Sequence, residues 1–558
     1  MASTPDLLGA AAPGPAPPAP TGPAGGRRRR RWTGTASPPL VAVGVATGLL
    51  FAGPLVYLAI ETLGGDEALA ELYTSSRTVR PLANTLRLAL ATAATAAVTG
   101  TALAWLTTRT DVPLRRLWAG LVPLPLVFPS FVGALALVAA VAPGGLLASP
   151  LEAVGVEATR PEGFWGAWLV LTLFTTPFVL LPVAARLSSL PPSLEESARL
   201  LGRRPVAVFR TVVLPQISGS IWAGSLLVFL YAVSDFGVVV LLRYDTLTRA
   251  IYTNRVLDRT QSVALSLLLA VVALAVVAGE RVLAHRRREV PGTATDRPLR
   301  VPLGRWRWPA LAGVVAWVAL ALAAPLASLG LWAWRGLRGA GSGLAQGEEV
   351  GDLGVPALNT IGIGVVTALV AVAVVLPVAY LSARHRAPAG DAVHGLVAVG
   401  FALPGLVVAL AVVSWAIELP PSLDLYQSFP VLVAAYVVHL GAQSLRATEV
   451  AVASVPTRLE ESARLLGAGR VRRFATVELP LMLPGLAAGG GLVLLSTMKE
   501  LPITLLLSPL GFETLATRVW EDAEAAFLAE AGLASLVLVA LSGVLTWLLV
   551  VRRAERLA

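Results

Sequence analysis

Few side chains in this 558-residue sequence are of a type and in a place to do chemistry. Two carboxylates stand inside apolar stretches: Asp235 in LYAVSDFGVVVLL and Glu500 in LLSTMKELPITLLL, 265 positions apart. A carboxylate in an apolar span costs a few kcal/mol if it meets lipid, so such groups face a bundle interior or a wet passage. Two of them related by a repeat could draw a cation into a passage. Pairing is the other reading, Glu500 with Lys499 or Asp235 with Arg243, anchoring helix ends. The chain has no cysteine, which excludes disulfides, thiolate metal ligation and thiol nucleophiles. Its histidines (His285, His385, His394, His439) are scattered, without metal-ligand spacing. Lys499 is the sole lysine and lies in an apolar region, so no phosphate-cradling loop is present. No nucleophile–base pair has convincing spacing. The expectation is a chain without a catalytic centre, resident metal or cofactor of its own.

The most distinctive polar feature occurs twice. LPPSLEESARLLGRRPVAVFRTVVLP (190–215) returns as VPTRLEESARLLGAGRVRRFATVELP (455–480), with Glu195 through Gly202 repeated as Glu460 through Gly467 at a shift of 265. Phe209 and Leu214-Pro215 return as Phe474 and Leu479-Pro480. Pro191-Pro192 ends the preceding helix. Ser193 with Glu196, and Thr457 with Glu460, have capping-box spacing, one position out of register between copies. Glu195–Arg199 and Glu460–Arg464 are i, i+4 pairs that support a short exposed helix. Leu194, Ala198 and Leu201, matched by Leu459, Ala463 and Leu466, form one apolar stripe. Gly202 and Gly467 suit the left-handed residue that closes a helix. The expectation is an amphipathic helix, a turn, and a second segment leading to a span. An interfacial helix resting on headgroups is the simpler reading, but lipid contact does not require matched residues at matched spacing. Two identical surfaces suit a two-fold partner.

The elements that position these residues follow from composition. The chain is 56% hydrophobic and 14% charged, with mean hydropathy +0.73, well beyond an ordinary globular protein. Runs of about 20 apolar residues recur, enough to cross a bilayer. They predict about twelve spans at 20–25 residues each, near 39–62, 82–107, 117–141, 164–185, 216–241 and 261–283, then 309–334, 357–382, 392–417, 429–449, 484–507 and 528–551. Residues 1–37 read as a disordered Pro/Ala-rich tail ending in the Arg27–Arg31 block. Repeats occupy 38–284 and 308–558, joined by a linker at 285–307. The +10 net charge is placed in short segments between spans, as the positive-inside rule demands, and not as a nucleic-acid face. RTDVPLRR (109–116), HRRR (285–288), ARHRAPAGD (383–391) and Arg552–Arg556 then fall in the cytoplasm with both termini. GGDEALAE (64–71) and the 521–530 segment fall outside. Both repeated stretches fall on the cytoplasmic side.

The duplication extends beyond the loops. Pro81–Thr85 corresponds to Pro356–Thr360, and Pro129 (LVFPSFVGALAL) to Pro404 (FALPGLVVALAV), at a shift of 275. The two halves are therefore parallel repeats rather than inverted ones. Pro129, Pro404, Gly133 and Gly405 are expected to kink or break spans that line a passage. Asn84 and Asn359 read as cap-like polar groups before spans, and Arg87 as a snorkelling arginine.

Glu196-Ser197-Ala198-x3-Gly202-x9-Val212-x-Leu214-Pro215, and Glu461-Ser462-Ala463-x3-Gly467-x9-Val477-x-Leu479-Pro480, resemble the EAA signature of bacterial ABC importer permeases, with Ser at the second position of both triplets. The resemblance implies an all-α polytopic fold of the type I importer permease kind, two parallel six-helix repeats in a bacterial plasma membrane. It also implies that the two loops are coupling helices. Glu195, Glu196, Ala198 and Gly202, with Glu460, Glu461, Ala463 and Gly467, would contact two copies of an ABC ATPase subunit that binds the ATP. An extracytoplasmic binding protein would deliver the solute. The fused two-repeat form, with SDFG (234–237), KELP (499–502) and LLLSPLGFETLATRVW (505–520), resembles the ferric-iron importer permeases, thiamine importer permeases being close relatives. A secondary transporter with parallel halves is the rival outside this superfamily, but it needs no matched coupling loops. Asp235, Glu500, Pro129 and Pro404 are the candidate residues of the translocation path.

Overall fold

A computed structural model describes residues 37–64, 73–153, 155, 160–284, 300–338, 353–385, 388–423 and 425–548. The tail with its arginine block, the acidic 65–71 segment, the linker up to 299 with its HRRR run, Arg386-Ala387, and the 552–556 basic terminus lie outside the described residues.

The described residues form helices and connecting turns, and their sole β contact is an isolated parallel bridge between Thr110 and Val301. Among the described residues nine helices are long and apolar enough to cross a bilayer: Pro38–Gly64, Ser76–Arg109, Phe164–Ser189, Val206–Ser234, Arg259–Gly279, Gly304–Leu337, Gly354–Arg384, Arg470–Thr497 and Leu528–Thr546. The spans expected at 117–141 and 392–417 are not continuous. Arg115–Val127 meets Ser130–Val141 at 96°, and Ala392–Ala402 meets Gly405–Glu418 at 100°. Pro129 and Pro404 form the two corners, each extended at the residue before the second helix (ψ 143° and 144°). Proline ends the first helix because it offers no N–H and its ring clashes with the preceding turn. Counting each bent pair as one span gives eleven among the described residues, not about twelve. The difference lies at 429–449: Phe429–Leu440 is apolar but only twelve residues long, and Ala442–Ser454 continues it with polar sequence.

The halves repeat element by element. In the first, Ser76–Arg109, Pro177–Ser189 and Leu214–Ser234 pack on one another; in the second, Gly354–Tyr380, Ala442–Ser454 and Leu479–Thr497 do the same. Glycine permits the close approach: a Cβ at Gly224 would stand 2.6 Å from Val179 Cα, and one at the equivalent Gly489 3.1 Å from the Ser444 carbonyl oxygen. Small residues at such crossings are how helices associate in lipid, where no hydrophobic drive separates them from solvent. The first helix of each half crosses over. Pro38–Gly64 lies against both arms of the second half's bent pair, and Ala324–Leu337 lies against Ser130–Val141 of the first. Each half therefore closes around the other's corner.

Asn84 and Asn359 do not precede their spans. They sit inside the helices, Asn84 as the ninth residue of Ser76–Arg109 and Asn359 as the sixth of Gly354–Tyr380, where Asn84 Nδ2 donates to the Asp245 carbonyl at 2.8 Å and Asn359 Nδ2 to that of Glu513 at 2.9 Å. The neighbouring Thr85 and Thr360 hydroxyls accept the Leu247 and Leu515 N–H groups, both at 2.9 Å. Each half thus fastens its second span to the start of its penultimate helix by the same two hydrogen bonds. Arg87 lies over the Phe164 ring at 4.5 Å.

Candidate functional site

The repeated stretches build two matching loop helices, Pro192–Leu200 and Thr457–Leu465. Neither expected capping box forms. Pro191 and Pro456 occupy the N-cap positions without a side-chain cap, and Pro192 is the first helical residue, where a missing N–H costs nothing. The ends close as expected: Gly202 and Gly467 have φ +76° and +80°. The Arg203 and Ala468 N–H groups then reach back to the Ala198 and Ala463 carbonyls at 3.2 and 3.0 Å, the Schellman closure.

The i, i+4 pairs Glu195–Arg199 and Glu460–Arg464 are not formed. Glu195 instead pairs with Arg109 at 2.8 Å, the two side chains 3% and 0% exposed. Glu460 pairs with Arg384 at 2.6 Å, at 12% and 9%. Arg109 and Arg384 end the second spans of the two halves, at the 275 shift, so each loop helix is tied to one span end by one buried ion pair. Arg109 meets Glu195 where solvent is excluded and the Coulomb attraction is stronger, and the half-buried Arg199 is left out of the pair. Burial pushes the Glu460 carboxyl up, against the Arg384 guanidinium, which pulls it down. The expected apolar stripe also divides. Ala198 is buried, but Leu201 and Leu466 point outward, and so do Leu200 and Leu465, each 89% exposed. Glu196 and Glu461 are exposed beside them; Ala463 is half-buried. Each helix therefore turns one carboxylate inward as an anchor and presents the next one outward with two leucines. Beyond each lies a five-residue π-helical turn, Phe209–Val213 and Phe474–Glu478, leading into the next span.

A second pair of matched features lies at the corners. Leu214–Ser234 ends at Asp235 and Leu479–Thr497 ends just before Glu500; the short helices Gly237–Leu241 and Pro502–Leu507 follow. The spans expected at 216–241 and 484–507 are thus interrupted at their carboxylates. Asp235 is buried, accepting from Ser130 Oγ at 2.6 Å and the Val238 N–H at 2.9 Å, while its own carbonyl accepts from Thr248 Oγ1 at 2.8 Å. Glu500 lies 3.8 Å from His439 Nε2, receives the Ile503 N–H at 3.4 Å, and its carbonyl accepts from Thr504 Oγ1 at 2.7 Å. Neither pairing anticipated from sequence exists. Arg243 pairs with Glu162 at 3.0 Å, and Lys499 Nζ donates to the Leu126 carbonyl of the other half at 3.2 Å. Phe236 and Trp520 also meet across the halves, ring centroids 5.2 Å apart. Pro129 and Pro404 thus stand in the layer where the halves touch. Gly133 does not kink its helix: it lies inside Ser130–Val141, and a Cβ there would strike the Phe174 ring at 2.2 Å. Gly405 makes room for Glu500, whose Oε1 would be 2.5 Å from a Cβ.

Sequence reasoning missed Arg109 and Arg384, although their equivalence under the 275 shift was a usable signal. Ser130 and His439 gave none, lying 105 and 61 residues from their carboxylates. Among the described residues no group of three or more His, Cys, Asp or Glu side chains could hold a metal ion.

Two parallel helical repeats, each with a bent span at its centre and a loop helix locked to a span end, make this a polytopic transport permease. The chain belongs to the family of binding-protein-dependent transport system inner membrane components, whose profile matches residues 96–289 and 375–556. It is 29% identical over 513 residues to an Fe(3+)-transport system permease protein of Haemophilus influenzae, covering 90% of this chain and 96% of that one. It is 32% identical over 241 residues to a molybdenum transport system permease protein of Mycobacterium tuberculosis, covering 42% and 89%. A sulfate transport system permease protein of Synechococcus elongatus is 33% identical over 172 residues, covering 31% and 61%. The chain is an importer permease subunit, a membrane transport component and not an enzyme.

Proposed function

We propose that this chain forms the passage of an ATP-driven importer for ferric iron handed over by an extracytoplasmic binding protein. One copy of an ATPase subunit docks on each loop helix. The observation that carries the coupling is the matched pair of helices, each held from within by a buried Arg–Glu ion pair and turning a carboxylate and two leucines to solvent. Adjacent exposed leucines in a polar loop mark an interaction site. Closure of two ATPases around ATP would move Pro192–Leu200 and Thr457–Leu465, and Arg109 and Arg384 would carry that displacement to the second spans. The corners at Pro129 and Pro404, with Asp235 and Glu500 against them, are where we place the passage, since the halves meet there. Closure then switches access by moving the halves as bodies.

Iron as cargo rests on the relative matched along nearly its whole length. The sulfate and molybdenum relatives favour an oxyanion as the second reading. Both loop helices and both termini are placed on the cytoplasmic side, from the arginine-rich short loops.

The test is ATPase stimulation by the reconstituted complex, wild type against Glu196→Arg with Glu461→Arg. Both side chains are exposed, so the fold is retained, and stimulation should fall to that of the ATPase alone. Normal stimulation by the double variant removes the coupling claim. Because the chain has no cysteine, Ser197→Cys also reports sidedness: a membrane-impermeant maleimide should label it only in inside-out vesicles.

A further inference from the structure

The segment that opens the second repeat, Arg300–Trp308, carries a run of basic and aromatic side chains. Arg305 and Arg307 alternate with Trp306 and Trp308, each guanidinium lying over the following indole at 5.9 and 5.1 Å. The two indoles are 62% and 61% exposed. The segment is held in place, not trailing. Val301 N–H donates to the Arg109 carbonyl at 2.8 Å, Val301 bridges Thr110, and the Leu303 N–H donates to Asp111 Oδ1 at 2.8 Å. The turn to which it is fastened adds Arg115 and Arg116, flanked by the exposed Leu114 and Leu117. Leu114 is held at φ +56°, a costly conformation for a branched side chain, with that side chain in the open. Five arginines, Arg300 included, and four large apolar side chains therefore share one rim, level with the loop helices. The helix that follows, Gly304–Leu337, has only 17% of its apolar window buried, the least of the nine, so its flanks face lipid.

Exposed indoles at the end of a lipid-facing helix seat at headgroup depth. Arginine beside them offers a fork of donors shaped for phosphate. We propose that Arg300–Trp308 and the Asp111–Leu117 turn form a docking surface for the headgroups of anionic phospholipids. Its position makes it more than an anchor. Arg109, which holds Glu195 of the first loop helix, ends the helix just before that turn, so lipid seated here steadies the loop helix. The surface rests on its own contacts; the orientation reading above decides only which leaflet it meets.

The test uses the full chain in detergent, without ATPase or cargo, so its outcome is separate from the coupling claim. Native mass spectrometry counts retained phosphatidylglycerol against phosphatidylcholine of equal chain length. Wild type should retain phosphatidylglycerol preferentially, and Arg305→Gln with Arg307→Gln should weaken that retention about fivefold per arginine removed. Arg335→Gln with Arg338→Gln, at the other end of the same helix, should leave it unchanged. Equal retention of both lipids by wild type overturns the proposal. So does wild-type retention by the Arg305/Arg307 variant, or an equal loss in the Arg335/Arg338 variant.

Discussion

The two halves make the same corner with different atoms. In the first, Ser130 opens the helix after the corner and donates to Asp235 at 2.6 Å, with Phe174 packed behind. In the second, Gly405 stands where Ser130 would, Glu500 is one methylene longer, and His439 takes the place of Phe174. The longer carboxylate occupies the space a serine side chain would need. What is kept is the carboxylate against the start of the post-corner helix, accepting the N–H three residues on. What changes is the element that supplies its partner. The inner ends differ by degree instead. Arg109–Glu195 is buried almost completely, while Arg384–Glu460 retains some contact with water. The second half also surrounds its anchor with polar groups. Tyr380 donates to Glu478 at 2.7 Å and Ser382 to Glu449 at 2.7 Å, where the first half has Trp105 stacked edge-on against Phe209. A duplicated fold keeps the geometry that moves and lets the surrounding chemistry drift.

This comparison can be broken in three places. The largest effect belongs to Arg109→Ala, which leaves Glu195 buried without its cation and should cost about 3–5 kcal/mol of stability. Arg384→Ala should cost clearly less, since Glu460 already reaches water; equal losses in detergent unfolding would show that the two anchors do not differ.

Next is Gly405→Ser, which forces a side chain against Glu500 and should cost about 1–3 kcal/mol. Adding Glu500→Asp recreates the first half's arrangement and should recover most of that loss. If the two changes simply add, the corners are not alternative solutions to one packing problem.

The smallest effect is on pH dependence. Burial raises the Glu460 carboxyl above its ordinary value, so the folded state binds the proton more readily than the unfolded one. Stability should therefore fall as pH rises from the ordinary carboxylate value through the raised one. Glu460→Gln should flatten that part of the profile, and an unchanged slope would count against this placement of Glu460.

Much of the function was legible because duplication writes it twice. Chance rarely returns LEESARLLG at one fixed shift between arginine-rich short loops. The closing glycines were readable too, because only a left-handed residue ends a helix that way. That Pro129 and Pro404 break their spans was readable as well; how sharply was not. A proline in an apolar run is often tolerated within a spanning helix, since neighbouring groups can satisfy the freed carbonyl. Only packing decides between a kink and a bend of 96°. The ion partners were misassigned for a related reason. Local spacing favours Glu195–Arg199, but Glu195 turns into a dry interior that Arg109 enters from 86 residues away.

By itself the sequence determined that this chain spans a membrane as two parallel repeats with two matched polar loops, because hydropathy and internal repetition are properties of the string alone. The tertiary structure decided which way those loop helices face, which arginine holds each one, and that each half's first helix crosses to the other's corner. Those choices depend on which groups share a dry interior, and burial of one residue by another far along the chain exists only once the chain has folded.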